Sequence, residues 1–219
     1  MQNRILFFAH YNEYDTIHND IYYLLEGVRN IYNRIVLVSN SVIPEEHLLK
    51  LEKLCDSIII RANRGYDFGA WKEALAKESW EELSQYDSVT LMNDSCFGPM
   101  FDLENIYIKM QQTNVDFWGL TIHQECKHLP YLASSVPEHI ESYFLCFHKN
   151  VILSSVFQKS WSQVACMLFI DVKASYDKSR IYKCVMLLRK IAQKTGALFF
   201  LRALLVARRR LLKNKRGKG

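Results

Sequence analysis

Asp87-Ser88-Val89-Thr90-Leu91-Met92-Asn93-Asp94-Ser95-Cys96-Phe97-Gly98-Pro99 begins as a buried strand and ends in acid and amide. Val89, Leu91 and Met92 bring apolar bulk to a sheet. Asn93, Asp94 and Ser95 then crowd oxygen ligands where the strand stops, and Gly98-Pro99 turns the chain away. In open parallel α/β sheets, ligands lie beyond the carboxyl ends of the strands, so this polar cluster is a candidate site. The same residues also read as a capped strand end, with Asp94 satisfying local backbone N–H groups.

The chain upstream supplies the rest of such a sheet. Residues 4–9 are a short apolar run that reads as a first strand, with His10-Tyr11-Asn12 as its carboxyl-end loop. Ile21, Leu24, Leu25 and Val28 recur at helical spacing and predict a helix over 20–28, capped by Asn19 or Asp20. Residues 34–38 predict a second strand, ending in Ser39-Asn40-Ser41. Residues 45–54 predict a helix entered through Pro44, and 57–60 a third strand. This β-α-β-α-β order with short connections implies parallel strands, hence a Rossmann-like half-domain suited to a nucleotide.

Between the third strand and the quoted stretch lies Arg61-Ala62-Asn63-Arg64-Gly65-Tyr66-Asp67-Phe68-Gly69-Ala70-Trp71. Gly65 and Gly69 permit close backbone approach, and Asn63 and Asp67 offer side-chain oxygens in a loop leading into a helix from about Phe68. A plain strand-to-helix turn with Asp67 as N-cap fits equally. The dinucleotide spacing Gly-x-Gly-x-x-Gly and the phosphate-loop Gly-Lys-Ser/Thr are both absent.

With 219 residues, 49% hydrophobic and 23% charged, the composition is that of a globular protein with one sizeable core. The six cysteines fall singly, with no Cys-x-x-Cys pair and no export signal, so reduced thiols in a cytosolic compartment are expected and zinc is not. No uninterrupted apolar run reaches the roughly 18–20 residues of a membrane span. Charge is uneven: residues 1–172 carry 13 Lys and Arg against 22 Asp and Glu, and residues 173–219 carry 15 against 1. An acidic body makes a poor nucleic-acid binder, so no nucleic-acid partner is expected. In the tail, Val185, Leu188, Ile191, Leu198, Leu201, Leu204 and Leu205 alternate with cations, and Gly196 marks a break. This predicts a basic, partly amphipathic helical extension over 166–219, beside a domain over 1–165, and an anionic membrane surface as its partner.

The run from Asn63 to Trp71, followed by Tyr86-Asp87-Ser88-Val89 and Met92 to Pro99, resembles the rhamnan synthesis protein F family. Asp116-Phe117-Trp118-Gly119-Leu120-Thr121, Glu138-His139-Ile140 and Ser142-Tyr143-Phe144 extend the likeness, as do His10, Asn12 and Ser39-Asn40-Ser41. These are bacterial glycosyltransferase-like proteins of cell-wall and surface polysaccharide synthesis, including lipopolysaccharide. The resemblance implies a GT-A-like α/β fold with a mostly parallel central sheet. It implies inverting transfer of L-rhamnose from dTDP-L-rhamnose to a lipid-linked glycan, on the inner face of the cytoplasmic membrane. It places the donor at His10, Asn12, Asn40, Asn63, Gly65, Asp67, Asn93 and Ser95. Asp94 would act at the diphosphate and hold a divalent cation, Mg²⁺ or Mn²⁺.

Inversion needs a group to take the acceptor's proton. Of the acids that follow, Asp102, Glu104, Asp116, Glu125, Glu138 and Glu141, the one assigned to that role is Glu138, in a polar segment ahead of the apolar run 143–147. In GT-A enzymes, which the family resembles in fold, the strand-end motif is usually Asp-x-Asp with two acids, whereas Asn93-Asp94-Ser95 has one. A non-catalytic nucleotide-sugar or glycan-binding protein of a membrane-bound assembly complex is the alternative that this departure supports.

Overall fold

A computed structural model of the protein describes residues 2–113, 115–124 and 139–168. The chain divides into two compact units. The first comprises residues 1–118 and 143–154, and the second residues 119–142 and 155–219.

The elements of the first unit follow the β-α alternation predicted above. In chain order they are β1 (Arg4–His10), α1 (Asn19–Val28), β2 (Arg34–Ser39), α2 (Glu45–Leu51), β3 (Ser57–Ile60), α3 (Tyr66–Lys77), α4 (Trp80–Leu83), β4 (Ser88–Asn93), α5 (Leu103–Gln111) and β5 (Phe117–Gly119). Then come β6 (Ile122–His123) and β7 (His139–Ile140), an antiparallel pair in the second unit. The last are β8 (Phe144–His148), α6 (Lys149–Ile152) and α7 (Ser155–Leu168).

The main sheet has the order β3-β2-β1-β4-β8-β5. Strands β1 to β4 are parallel, and β8 runs antiparallel to β4. This is the mixed, mostly parallel α/β arrangement expected from the sequence. Every residue of β1 and of β4 is buried, which is why residues 5–9 read as a continuous apolar run, whereas in β4 the buried polar residues Ser88, Thr90 and Asn93 interrupt it. The chain lays down β2 and β3 on one side of β1 and returns to its other side as β4. Connections therefore leave the ends of β1 and β4 in opposite directions and open a crevice between them.

Three local expectations are corrected. Helix α1 is capped by His18 in an extended conformation, with no side-chain cap from Asn19 or Asp20. Helix α2 stops at Leu51, not at 54, because the Leu54 and Cys55 amides both turn back onto the Leu51 carbonyl, and the Leu51 side chain is fully buried. Helix α3 starts at Tyr66 rather than Phe68, and its N-cap is Gly65, at φ 78°, rather than Asp67.

Below β1, polar groups are consumed by structure. Buried Arg4 forms a two-pronged ion pair with Glu104 and lies 4.3 Å over the Tyr107 ring. Asp87 accepts from the Asn3 amide at 2.8 Å. Asp102 caps α5 by accepting from the Glu104 and Asn105 amides, and Asp116 accepts from Asn150. The aromatic core stacks edge-on through Tyr32, Tyr107 and Trp118. Trp71 and Trp161 are buried as well, as expected of large aromatics. Burial pushes the Cys146 thiol up to about 11 and the Cys55 thiol up to about 12, so both behave as apolar core groups at neutral pH. Helix α1 closes on the loop after β4. A Cβ added at Gly27 would lie 2.7 Å from Pro99 Cδ, and Tyr23 stacks on Phe97 with ring centroids 5.5 Å apart.

The buried Tyr107 hydroxyl lies 2.6 Å from Thr90 Oγ1 and 3.0 Å from the Tyr32 hydroxyl. Tyr107→Phe leaves both partners buried with a lost bond. It is expected to cost about 1–3 kcal/mol, read as a lower urea midpoint at unchanged m-value.

Candidate functional site

The crevice at the carboxyl ends of β1 and β4 is lined by His10, Tyr11, Asn12, His18, Asp20, Ile21 and Asp94. Its floor is made by the Asp94 carboxylate crossing between the two strands. The Asp94 amide donates to the Ala9 carbonyl at 3.3 Å, and Asp94 Oδ2 accepts from the Tyr11 amide at 2.8 Å. His10 Nδ1 sits 2.9 Å from the same oxygen, at ion-pair distance but without a hydrogen bond's alignment. Asp94 thus does cap local backbone, yet only through one oxygen. The other has no hydrogen bond among the described residues, and the side chain is 21% exposed. His10 is 3% exposed, and its Nε2 has no hydrogen-bond partner among the described residues.

Asn12 also lies in the crevice. Its Oδ1 accepts from the Tyr14 amide at 2.8 Å and its Nδ2 lies 3.3 Å from His18 Nε2, while its own amide donates to Ser41 Oγ at 3.1 Å. These bonds fold the loop after β1 over toward the end of β2.

The other residues expected at a donor site lie at the same end of the sheet, but several have scaffold roles. Asn93 is 3% exposed. Its Nδ2 donates to Asp67 Oδ2 at 2.6 Å and its Oδ1 accepts from the Ser95 amide at 3.1 Å, so it pins the start of α3 to the end of β4. Asn40, 5% exposed, accepts from Arg61 through Oδ1, and its amide donates to the His10 carbonyl at 2.8 Å. Asn63 and Ser95 are exposed. Gly65 provides the left-handed turn ahead of α3. Glu138 lies outside the described residues, as does Glu125. Among the alternative acids, Asp102, Glu104 and Asp116 are occupied by the structural contacts given above.

Sequence reasoning missed Tyr11, His18 and Asp20 as crevice residues, and Arg64 as an exposed cation in the loop after β3, at the same end of the sheet. Nothing in the residue types marks the backbone contact of Tyr11. Asp20 was read as a cap because acids near a helix start usually are.

Among the described residues, no group of three or more His, Cys, Asp and Glu is disposed to hold a metal ion. The site offers one carboxylate oxygen of Asp94. That donor set fits a Mg²⁺ or Mn²⁺ ion taking its other ligands from phosphate and water, and does not fit a cation caged by protein.

The family model described as rhamnan synthesis protein F matches residues 35–185. An uncharacterized protein of Sinorhizobium fredii, y4gN, is 29% identical over 133 residues, covering 59% of this chain and 32% of its own. The virulence protein VirA of Vibrio anguillarum is 26% identical over 149 residues, covering 68% of this chain and 40% of its own. The chain therefore spans well under half the length of these relatives. Among solved structures, Staphylococcus aureus TarS 1–349 superposes with a TM-score of 0.44 at 11% identity, covering 76% of this chain and 56% of that one. The Saccharomyces cerevisiae mannosyltransferase Ktr4p in complex with GDP gives 0.41 at 9% identity, covering 73% and 60%.

Asn93→Asp sets a second carboxylate against Asp67 at the distance now spanned by a 2.6 Å hydrogen bond. The expected outcome is a loss of about 1–3 kcal/mol in urea unfolding, although the change adds a second acid next to Asp94.

Proposed function

The chain belongs to the rhamnan synthesis protein F family, glycosyltransferase-like proteins of polysaccharide synthesis, and on that premise we propose that it transfers a hexose from a nucleotide-sugar donor to a growing polysaccharide. The donor we assign is dTDP-L-rhamnose, and the acceptor a lipid-linked glycan of a surface polysaccharide. The observation that carries this reading is Asp94: a partly exposed carboxylate with one oxygen uncommitted, in the crevice where an open parallel sheet takes its ligands.

In this reading the acceptor hydroxyl attacks the anomeric carbon from the face opposite the nucleotide. The bond from that carbon to the diphosphate breaks, and the hydroxyl proton passes to Glu138. Configuration inverts because bond formation and departure occur on opposite faces. Asp94, steadied by the Tyr11 amide and His10, would hold a divalent cation toward the diphosphate end of the donor through its uncommitted oxygen. A divalent cation bound there would supply positive charge against the charge building on the departing phosphate. Asn93, Asp67 and Asn40 hold the three loops in register, so their part is positioning.

The test is dTDP release from dTDP-L-rhamnose in the presence of Mg²⁺ or Mn²⁺ and a membrane extract. Asp94→Asn is expected to weaken donor binding or lower turnover by roughly 10- to 100-fold with the urea midpoint little changed, because the amide keeps the shape and loses the charge. An unfolded Asp94→Asn protein would return Asp94 to a purely structural role.

We further assign the basic residues 182–219, which lie outside the described residues, to the cytoplasmic face of the membrane as a peripheral anchor. The support is their charge, since Lys and Arg near an anionic surface contribute about 1 kcal/mol each. Full-length protein is expected to sediment with vesicles containing anionic lipid and to be released as salt rises, since exposed charges are screened over about 8 Å at physiological ionic strength. Arg208→Ala, Arg209→Ala and Arg210→Ala combined are expected to weaken sedimentation. Equal binding to neutral vesicles removes the anchor.

A further inference from the structure

The loop between β3 and α3 carries two arginines with opposite fates. Arg61 commits all its guanidinium nitrogens to fixing the loop against its neighbours. Its Nε donates to Glu73 Oε2 at 2.6 Å, its Nη1 to Asn40 Oδ1, and its Nη2 to the Arg64 carbonyl at 2.9 Å. Arg64 has an exposed side chain with no hydrogen bond or ion pair among the described residues.

The backbone of Arg64 is nonetheless tightly fixed. Its amide donates to the Ala62 carbonyl at 2.7 Å, and its carbonyl takes the Arg61 bond. A Cβ at Gly69 would collide with that carbonyl oxygen, so α3 packs on Arg64 at a distance only glycine allows. The next two residues, Gly65 at φ 78° and Tyr66 at φ 54°, are both left-handed, a conformation that costs a non-glycine residue about 1 kcal/mol or more. Three residues past Arg64, the Asp67 carboxylate is bonded to Asn93, the neighbour of Asp94. A strained, anchored backbone thus presents an unpaired guanidinium at the end of the sheet where the crevice opens.

The crevice has an unmet need as well. His10 Nε2 is buried in it without a hydrogen-bond partner among the described residues, although buried polar atoms are nearly always bonded, to protein, water or ligand. The surrounding residues 1–172 carry 13 basic against 22 acidic side chains. An anion approaching this body needs a local cation, and a planar guanidinium matches a phosphate through paired N–H bonds.

We propose that Arg64 binds the diphosphate of the nucleotide donor, in an inference that rests on the nucleotide-sugar reading above. Arg61 and Gly69 act as positioning residues that hold Arg64 in place. Arg64 supplies charge to the departing phosphate from the protein itself, with or without a divalent cation beside Asp94.

The test is titration calorimetry of full-length protein with dTDP, UDP, GDP, thymidine and inorganic phosphate, each in EDTA and in Mg²⁺. Arg64→Ala and Arg64→Gln are expected to raise the dTDP Kd roughly 10- to 100-fold in EDTA, the effect of losing a charged hydrogen-bonding partner, while leaving thymidine affinity and the urea midpoint unchanged. Arg64→Lys is expected to recover part of the loss. Gly69→Ala, which alters no charge, is expected to weaken dTDP as well by displacing the Arg64 carbonyl. If Arg64→Ala and Arg64→Gln bind dTDP within about twofold of the unaltered protein, Arg64 has no phosphate role. Equal weakening of thymidine also overturns it, since the loss is then not at the diphosphate. Binding of inorganic phosphate as tight as dTDP marks a general anion site and overturns the nucleotide assignment. If the unaltered protein binds none of the three nucleotides, the nucleotide-sugar reading fails and this inference with it.

Discussion

The first unit depends on β1 being hydrogen-bonded along both edges, to β2 on one side and β4 on the other, while both its faces are buried. A strand in that position has no spare backbone groups and no solvent-facing side chains along its length. What it can offer to a ligand is confined to its carboxyl end. Chain leaving β1 is sent to one side, toward β2, and chain leaving β4 to the other, toward β5, so a crevice opens between their ends. The position of the crevice is thus a consequence of strand order, before any particular side chain is considered.

Electrostatics then sort the polar residues. At the amino end of β1, Arg4, Glu104 and Asp87 are tied into bonds that hold strands and helix α5 together. At the carboxyl end, Asn93, Asp67, Asn40 and Arg61 are tied up in the same way, but Asp94, His10 and Arg64 retain unsatisfied atoms. Arg4 Nε and Ser88 Oγ also have no hydrogen-bond partner among the described residues, but they are buried at the amino end. Residual bonding capacity at the carboxyl end, rather than the presence of acids or amides, therefore separates residues able to meet a ligand from those that only shape the loops.

That distinction explains what was legible in the sequence. The order of strands and helices was readable because parallel strands buried on both faces leave uninterrupted apolar runs such as Ile5–Ala9. The end of the sheet at which the crevice opens followed from the same pattern, and with it the strand-end positions of His10 and Asp94. Roles within the site were not readable. Asn93 and Asp94 are adjacent and chemically similar in sequence, yet one amide is fully bonded and one carboxylate oxygen is not. Asp67 looked like a cap because it precedes a helical run. In fact the strained backbone at Gly65 and Tyr66 starts the helix earlier and frees the carboxylate to receive Asn93. Arg64 gave no signal because its difference from Arg61 exists only in the folded loop.

The close approach of Gly27 to Pro99 has an evolutionary reading. Two positions far apart in the chain, neither of them at the crevice, have become a single packing decision. Helix α1 admits no side chain at 27 while a proline ring fills the space at 99. Any lineage that enlarges residue 27 has to shrink residue 99 first or pass through a clash, and with Pro99 would go the shape of the loop that begins at Asp94. Covariation between those two positions among homologous sequences would therefore be a record of loop geometry, inherited through a helix that carries no chemistry there.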